Sequence, residues 1–256
     1  MLDLLVCRGE SLLIICPPDC IFRLKKAGIR EPRRFFDKKL EMKALDAIAR
    51  LIEYLKRLRI IQLFTIYLRY LIASAFLFAS LPKILGERFT LIPIDNPIGF
   101  FFEAMYRTGF YWNFLGWGQM LAALLLMTQR FAAFGAVLFY PIIINVWLIT
   151  WSIGFHGTTY ITFLMFLGNT YLLMWEYRRL VPLFQHESRL CFPVSGFDDT
   201  FMRKPVWIWL GILLSACVMM LRIDFQRAGW YVSIGFFSAL GLLLYHLFKK
   251  PALKLP

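Results

Sequence analysis

From residue 60 to residue 248 long apolar runs alternate with short polar breaks. The clearest stretch is 111–150, YWNFLGWGQMLAALLLMTQRFAAFGAVLFYPIIINVWLIT, in which Arg130 carries the only charge. It predicts two helices of roughly 20 apolar residues, each long enough to cross a bilayer, joined at Thr128-Gln129-Arg130. Gly116, Gly118, Ala122 and Ala123 in the first arm, and Ala132, Ala133, Gly135 and Ala136 in the second, let two backbones approach closely where lipid removes the hydrophobic drive. The runs are continuous rather than alternating, which excludes barrel strands. The same pattern predicts six spans, at 60–81, 110–127, 131–153, 158–175, 205–221 and 230–248.

The flanks read differently. Leu45, Ile48, Leu51, Ile52 and Leu55 form a helical stripe with a basic opposite face, so 43–59 predicts an amphipathic helix on the membrane surface. The segment 86–109, GERFTLIPIDNPIGFFFEAMYRTG, is too apolar for a free loop and too broken by Pro93 and Pro97 for a span. An amphipathic or re-entrant segment over 97–108 on the outer face satisfies both facts. Residues 1–41 lack the basic start of a signal peptide. They read as a basic interfacial segment, a tail without structure, or an over-long start ahead of Met42. Leu13-Ile14-Ile15-Cys16 glances at a lipidation site, but Ile15 is large for the residue before the cysteine. The fold class expected is all-α: a polytopic membrane bundle preceded by a surface helix.

Composition supports the class. The chain is 59% hydrophobic with 26 Phe, against about 45–50% apolar for a soluble domain. The net charge of +13 is uneven: with the N-terminus inside, 23 of the 29 Lys and Arg fall on the inner side and five outside. That bias places both termini in the cytoplasm, in a bacterial inner membrane. It makes anionic inner-leaflet lipid the expected charged partner, not nucleic acid. Five cysteines include a Cys16-to-Cys20 pair at CxxxC spacing with no second pair, and the three histidines are scattered. No metal or thiol-redox site is expected.

Arg69 is the sharpest candidate, because a cation inside a span costs at least about 2.5–3.5 kcal/mol and needs a partner. Lys83, fourteen residues on, falls near the same helix face, and Glu103 is the nearest attractive anion for it. With Gln119 and Asn145, and with His156 in a Gly-bracketed turn, these residues outline a polar pocket open to the outer face, fit for a quinone head group or a small anion. The competing reading ties Arg69 to Asn and backbone carbonyls, pairs Glu103 with Arg107 at i,i+4, and lets Lys83 reach for the interface. Asn145 and Asn169 read equally as interhelical hydrogen-bond donors. There is no phosphate-loop, dinucleotide or HExxH motif. Only His246 lies in a span, which argues against bis-His haem.

YLRYLIASAFLFASLPKILG, the outer amphipathic segment, the 111–150 hairpin and a fourth span ending MWEYRRL together resemble the DoxX-like membrane family over about residues 60–180. Arg69 and Lys83 stand where that family carries an early Arg and a terminal Lys in its first span. Ala73 and Leu81-Pro82 depart from the family's glycines, and two further spans lie outside its four-helix core. The resemblance implies a four-helix core over 60–180; the basic N-terminal segment at 1–59 and a C-terminal part at 181–256 with two added spans are read from the residues themselves. It also implies membership of a redox or maturation complex, with protein partners and a quinone as possible cofactor. A non-catalytic scaffold and, more remotely, a small-solute carrier are the alternatives; no repeated broken-helix pair marks a carrier.

Overall fold

In the computed structural model, residues 54–177, 179–180 and 201–248 are described, all within one compact unit, Ile52–Pro256. The expectations for 1–53 and for most of the 176–204 loop lie outside the described residues. Tyr54–Arg57 are helical, and the chain breaks at Leu58 before the first long helix.

The α-helices described from here on are α1 (Arg59–Ile84), α2 (Pro97–Arg107), α3 (Phe110–Met127), α4 (Ala132–Ser152), α5 (Thr158–Trp175), α6 (Pro205–Ile223) and α7 (Ala228–Phe248), with a 3-10 turn at Phe225–Arg227 between the last two. No strand occurs among the described residues. Among the described residues four stretches are long and apolar enough to cross a membrane: Arg59–Ile84, Ala132–Ser152, Pro205–Ile223 and Phe225–Phe248. They mark the chain as an integral membrane protein. The two helices of 18 residues, α3 and α5, are not among them. Their mean hydropathy is lowered by Asn113 and Gln119 in α3 and by Asn169 and four threonines in α5. The helices predicted at these positions are present, and a crossing by each is a proposal taken up below.

α1 is the axis. Its most apolar window is 56% buried, against 11% for Phe225–Phe248. Leu63, Ile66, Tyr70, Ala73, Phe76 and Leu77 of α1 meet Ala122, Ala123 and Leu126 of α3 and Phe139 and Ile143 of α4 in one core. The small residues work as expected. A Cβ on Gly116 would fall 2.8 Å from Lys83 Cβ, and one on Gly135 would fall 2.8 Å from the Leu126 backbone nitrogen, so α3 packs closely on both neighbours. A Cβ on Gly211 of α6 would meet the Met127 carbonyl at 2.8 Å. The Tyr70 hydroxyl donates to the Trp207 carbonyl, and Tyr67 Oη donates to the Ala239 carbonyl at 2.6 Å. The C-terminal helices therefore share the core of the first five.

Local chemistry sets the joints. Asn96 caps α2, its Oδ1 accepting from Ile98 N at 2.9 Å, with Pro97 in the first turn, where a missing N–H costs nothing. The predicted segment 97–108 is thus a helix, Pro97–Arg107. At the α3–α4 turn, Gln129 has φ of 57°, a left-handed conformation uncommon for a residue with a side chain. Thr128 Oγ1 donates to the Leu125 carbonyl at 2.8 Å and accepts from Phe131 N at 3.1 Å.

Candidate functional sites at the two ends of α1

Arg69 and Lys83 lie fourteen residues apart, about 21 Å along the helix, and the structure places them in two separate environments. Arg69 sits level with the α3–α4 turn. Its Nη1 donates to Gln129 Oε1 at 2.7 Å and its Nη2 to Glu176 Oε1 at 2.6 Å, with the side chains of Arg69 and Glu176 only 2% and 8% exposed. Arg179 Nη1 reaches the second oxygen, Glu176 Oε2, at 2.9 Å. One carboxylate at the end of α5 thus bridges α1 and the residues after α5, while Gln129 adds the turn. These two partners are a glutamine and a glutamate, where the expectation was Asn and backbone carbonyls. A buried, hydrogen-bonded ion pair of this kind closes the space around Arg69 and ties three elements into register.

Lys83 is at the other end. It is 5% exposed; its Nζ donates to the Ala79 carbonyl at 2.6 Å and lies 4.3 Å from the Phe89 ring centre and 5.2 Å from that of Trp112. Such contacts with ring faces stabilise a cation, but no carboxylate among the described residues pairs with it. Glu103 does not reach Lys83, contrary to expectation. It is shared by Arg88 Nε at 2.8 Å and Arg107 Nε at 3.0 Å, the Arg107 contact being the i,i+4 alternative. Arg88, five residues after Lys83 in the segment that leads to α2, reaches Glu103 on that helix with both Nε and Nη2. Trp112 Nε1 donates to the Glu87 carbonyl at 3.0 Å, and Arg222 at the end of α6 pairs with Glu87. Together these anchor the segment after α1.

That segment and α2 enclose a cavity of about 480 Å³, lined by Arg88, Phe89, Thr90, Asp95, Phe102 and Glu103 among others. Phe89 is common to the cavity and to the Lys83 contact. Leu91 on the rim is 94% exposed, the behaviour of a residue placed at a lipid interface.

The other candidates are dispersed. Gln119, one turn along α3 from Gly116, is buried, and its Oε1 has no hydrogen-bond partner. Asn145 is exposed on α4, its Nδ2 donating to the Pro141 carbonyl at 2.9 Å. Asn169 is buried and joins α5 to α4 through the Ala136 carbonyl at 3.1 Å, as an interhelical bond should. His156 is exposed in its turn. So the five residues Arg69, Lys83, Glu103, Gln119 and Asn145 do not converge on one pocket; Lys83 and Gln119 share the α1–α3 seam, and Glu103 lines the cavity next to it. No group of His, Cys, Asp and Glu among the described residues is placed to hold a metal ion. The residues missed in sequence were Gln129 and Glu176. The signal for Glu176 was available: it is the first acid after the fourth predicted span, on the same side of the membrane as the 128–130 turn.

The arginine clamp around Glu103 has a pH signature. Hydrogen bonds from Arg88 first, then Arg107, hold the carboxyl below its usual range. The folded carboxyl is the stronger acid, so the clamp's contribution is present above the unfolded value of about 4.3 and is lost as pH falls through the lower folded value. Acidification in that window is expected to loosen α2, seen as a change in tryptophan emission from Trp112. In Glu103→Gln this acid transition should vanish; a transition unchanged in that variant would assign it to another group.

Comparison with known proteins gives a short list. A stretch of 77 residues is 40% identical to the uncharacterized protein YwoB of Bacillus subtilis (strain 168), covering 29% of this chain and 47% of that one. The chain therefore matches about half the length of this relative. No family model matches the chain, and no solved structure matches it.

Proposed function

We propose that this is the membrane subunit of a larger complex, crossing the bilayer with α1 and α3–α7, and that it holds an anionic group at the Lys83 end of the bundle. The orientation read from the Lys and Arg distribution puts that end outside and both termini in the cytoplasm. The observation that carries the reading is Lys83, a buried ammonium with no carboxylate partner among the described residues, next to Phe89 on the wall of a cavity of about 480 Å³. A buried cation is expected to find an opposite charge or to mark a functional position, and in this seam the unpartnered Gln119 Oε1 adds a second polar group. A quinone at Arg69 finds no support, because Gln129 and Glu176 occupy its hydrogen-bonding face. Redox or maturation chemistry would come from the partner proteins, and the DoxX-like resemblance remains the basis for naming that class.

Native mass spectrometry of the protein purified in mild detergent tests this. The wild type is expected to retain an anionic small molecule or lipid, and Lys83→Met to retain at least tenfold less while melting at a similar temperature. Equal retention by a folded Lys83→Met protein would refute the anion site. A co-purified quinone unaffected by Lys83→Met would instead favour a redox subunit with its site elsewhere.

A second reading, a non-catalytic scaffold, is favoured by one feature: a polar side chain, Asn145, on the outside of an apolar helix.

A further inference from the structure

Apart from Trp151 near its end, the exposed residues of α4 fall at Phe134, Val137, Pro141, Asn145, Leu148 and Ser152. At 100° per residue these spacings make one straight stripe, diametrically opposite the buried Ala132, Ala136, Phe139, Ile143 and Thr150. The stripe would be an ordinary lipid-facing surface but for its chemistry. Asn145 lies thirteen residues into the helix, about 20 Å along it and about two turns from the nearer end. Its Nδ2 uses one hydrogen on the Pro141 carbonyl, leaving a second N–H and the Oδ1 acceptor facing outward. One turn and two turns before it, Pro141 has no N–H to give to the Val137 carbonyl. The other amides well inside helices, Gln119 and Asn169, are buried. By contrast the exposed face of α7, with Trp230, Ile234, Phe237 and Tyr245, carries no side-chain amide.

We infer that this stripe is a self-association surface, in which Asn145 of two copies pair across a twofold axis along the membrane normal. The side chain has one donor and one acceptor to spare, so two copies related by a twofold axis satisfy each other reciprocally. That reciprocity is the condition of an isologous interface, and interhelical amide bonds of this kind hold helices together in lipid. Phe134, Val137 and Leu148 supply the apolar contact on either side, spaced by three and four residues as helix seams require. The inference stands apart from the anion site, since α4 carries none of the residues around Lys83.

Photobleaching steps of the full chain, tagged with a fluorescent protein and extracted into nanodiscs with its native lipid, read the copy number. Two-step events are expected to dominate for the wild type and for Asn145→Gln, which keeps the amide. Asn145→Leu, an apolar change at an exposed site, should lower the apparent association constant at least tenfold without changing the melting temperature. Under oxidation, Asn145→Cys and Leu148→Cys should form covalent dimers in the membrane, and Phe237→Cys on α7 should not. One-step events in the wild type would overturn the inference. So would unweakened dimers of Asn145→Leu, or cross-linking of Asn145→Cys to a different polypeptide in place of a second copy.

Discussion

Glu176→Ala is expected to lower the unfolding free energy by about 3–5 kcal/mol, the range for breaking a buried ion pair from one side. Glu176 makes two charge contacts at this end, one oxygen for Arg69 and the other for Arg179. Its removal takes a charge-assisted hydrogen bond from the Arg69 guanidinium, whose side chain is 2% exposed, and the Gln129 amide that stays on Nη1 is a neutral acceptor. Arg69→Ala should cost less, because Glu176 keeps Arg179, whose side chain is 32% exposed and shares water. Glu176→Gln keeps one acceptor oxygen and should fall between. The double variant Arg69→Ala/Glu176→Ala should recover part of the Glu176→Ala loss, since no charge is then stranded. Unfolding curves in mixed micelles measure all four. A loss below about 1 kcal/mol for Glu176→Ala would mean that the pair is solvated and only decorates the surface.

The same network shows where sequence reasoning reached its limit. Helix positions were readable because each is a local matter: a run of apolar residues, ended by Pro82-Lys83, by Thr128-Gln129-Arg130, or by a Gly-bracketed turn. The 97–108 segment was readable because two prolines rule out a span while Asn96-Pro97 starts a helix. That Arg69 needed a partner was also readable from its place in an apolar run. Which partner was not, because Glu176 is 107 residues away and meets Arg69 only once α1 and α5 are packed. The expected pairing of Lys83 with Glu103 failed for a related reason: Arg88, Arg107 and Lys83 compete for the same carboxylate, and sequence does not rank their reach. Counting spans was harder still. The buried amides that lower the hydropathy of α3 and α5 are satisfied or enclosed inside the bundle, so the composition of these helices records packing against neighbours as much as contact with lipid.

Gly99→Ala is expected to disorganise the Lys83 end while leaving the Arg69 end in place. Gly99 is the buried residue of α2. A Cβ there would overlap the Pro93 carbonyl oxygen and lie 2.5 Å from the Ile92 oxygen. Both obstacles are backbone, held by the turn in which Asn96 N donates to the Pro93 carbonyl at 3.1 Å, and neither can swing aside as a side-chain tip would. Overpacking of this kind costs about 1–3 kcal/mol or more; here α2 must lift from the 88–95 segment, so the strain falls on the cavity that both line. Limited proteolysis within 88–95 should accelerate, and retention of an anionic ligand should fall as it does in Lys83→Met. The far-ultraviolet dichroism and the effect of Glu176→Ala should be unchanged. Gly118→Ala is the control, because a Cβ there meets nothing within 4 Å and a helix interior gains roughly 0.5–1 kcal/mol from losing a glycine. If Gly99→Ala keeps both its resistance to protease and its ligand, the close seat of α2 is not what shapes the cavity. If proteolysis rises but the ligand stays, the anion is held by Lys83 and the α1–α3 seam alone, and the cavity is a route to the site instead of part of it.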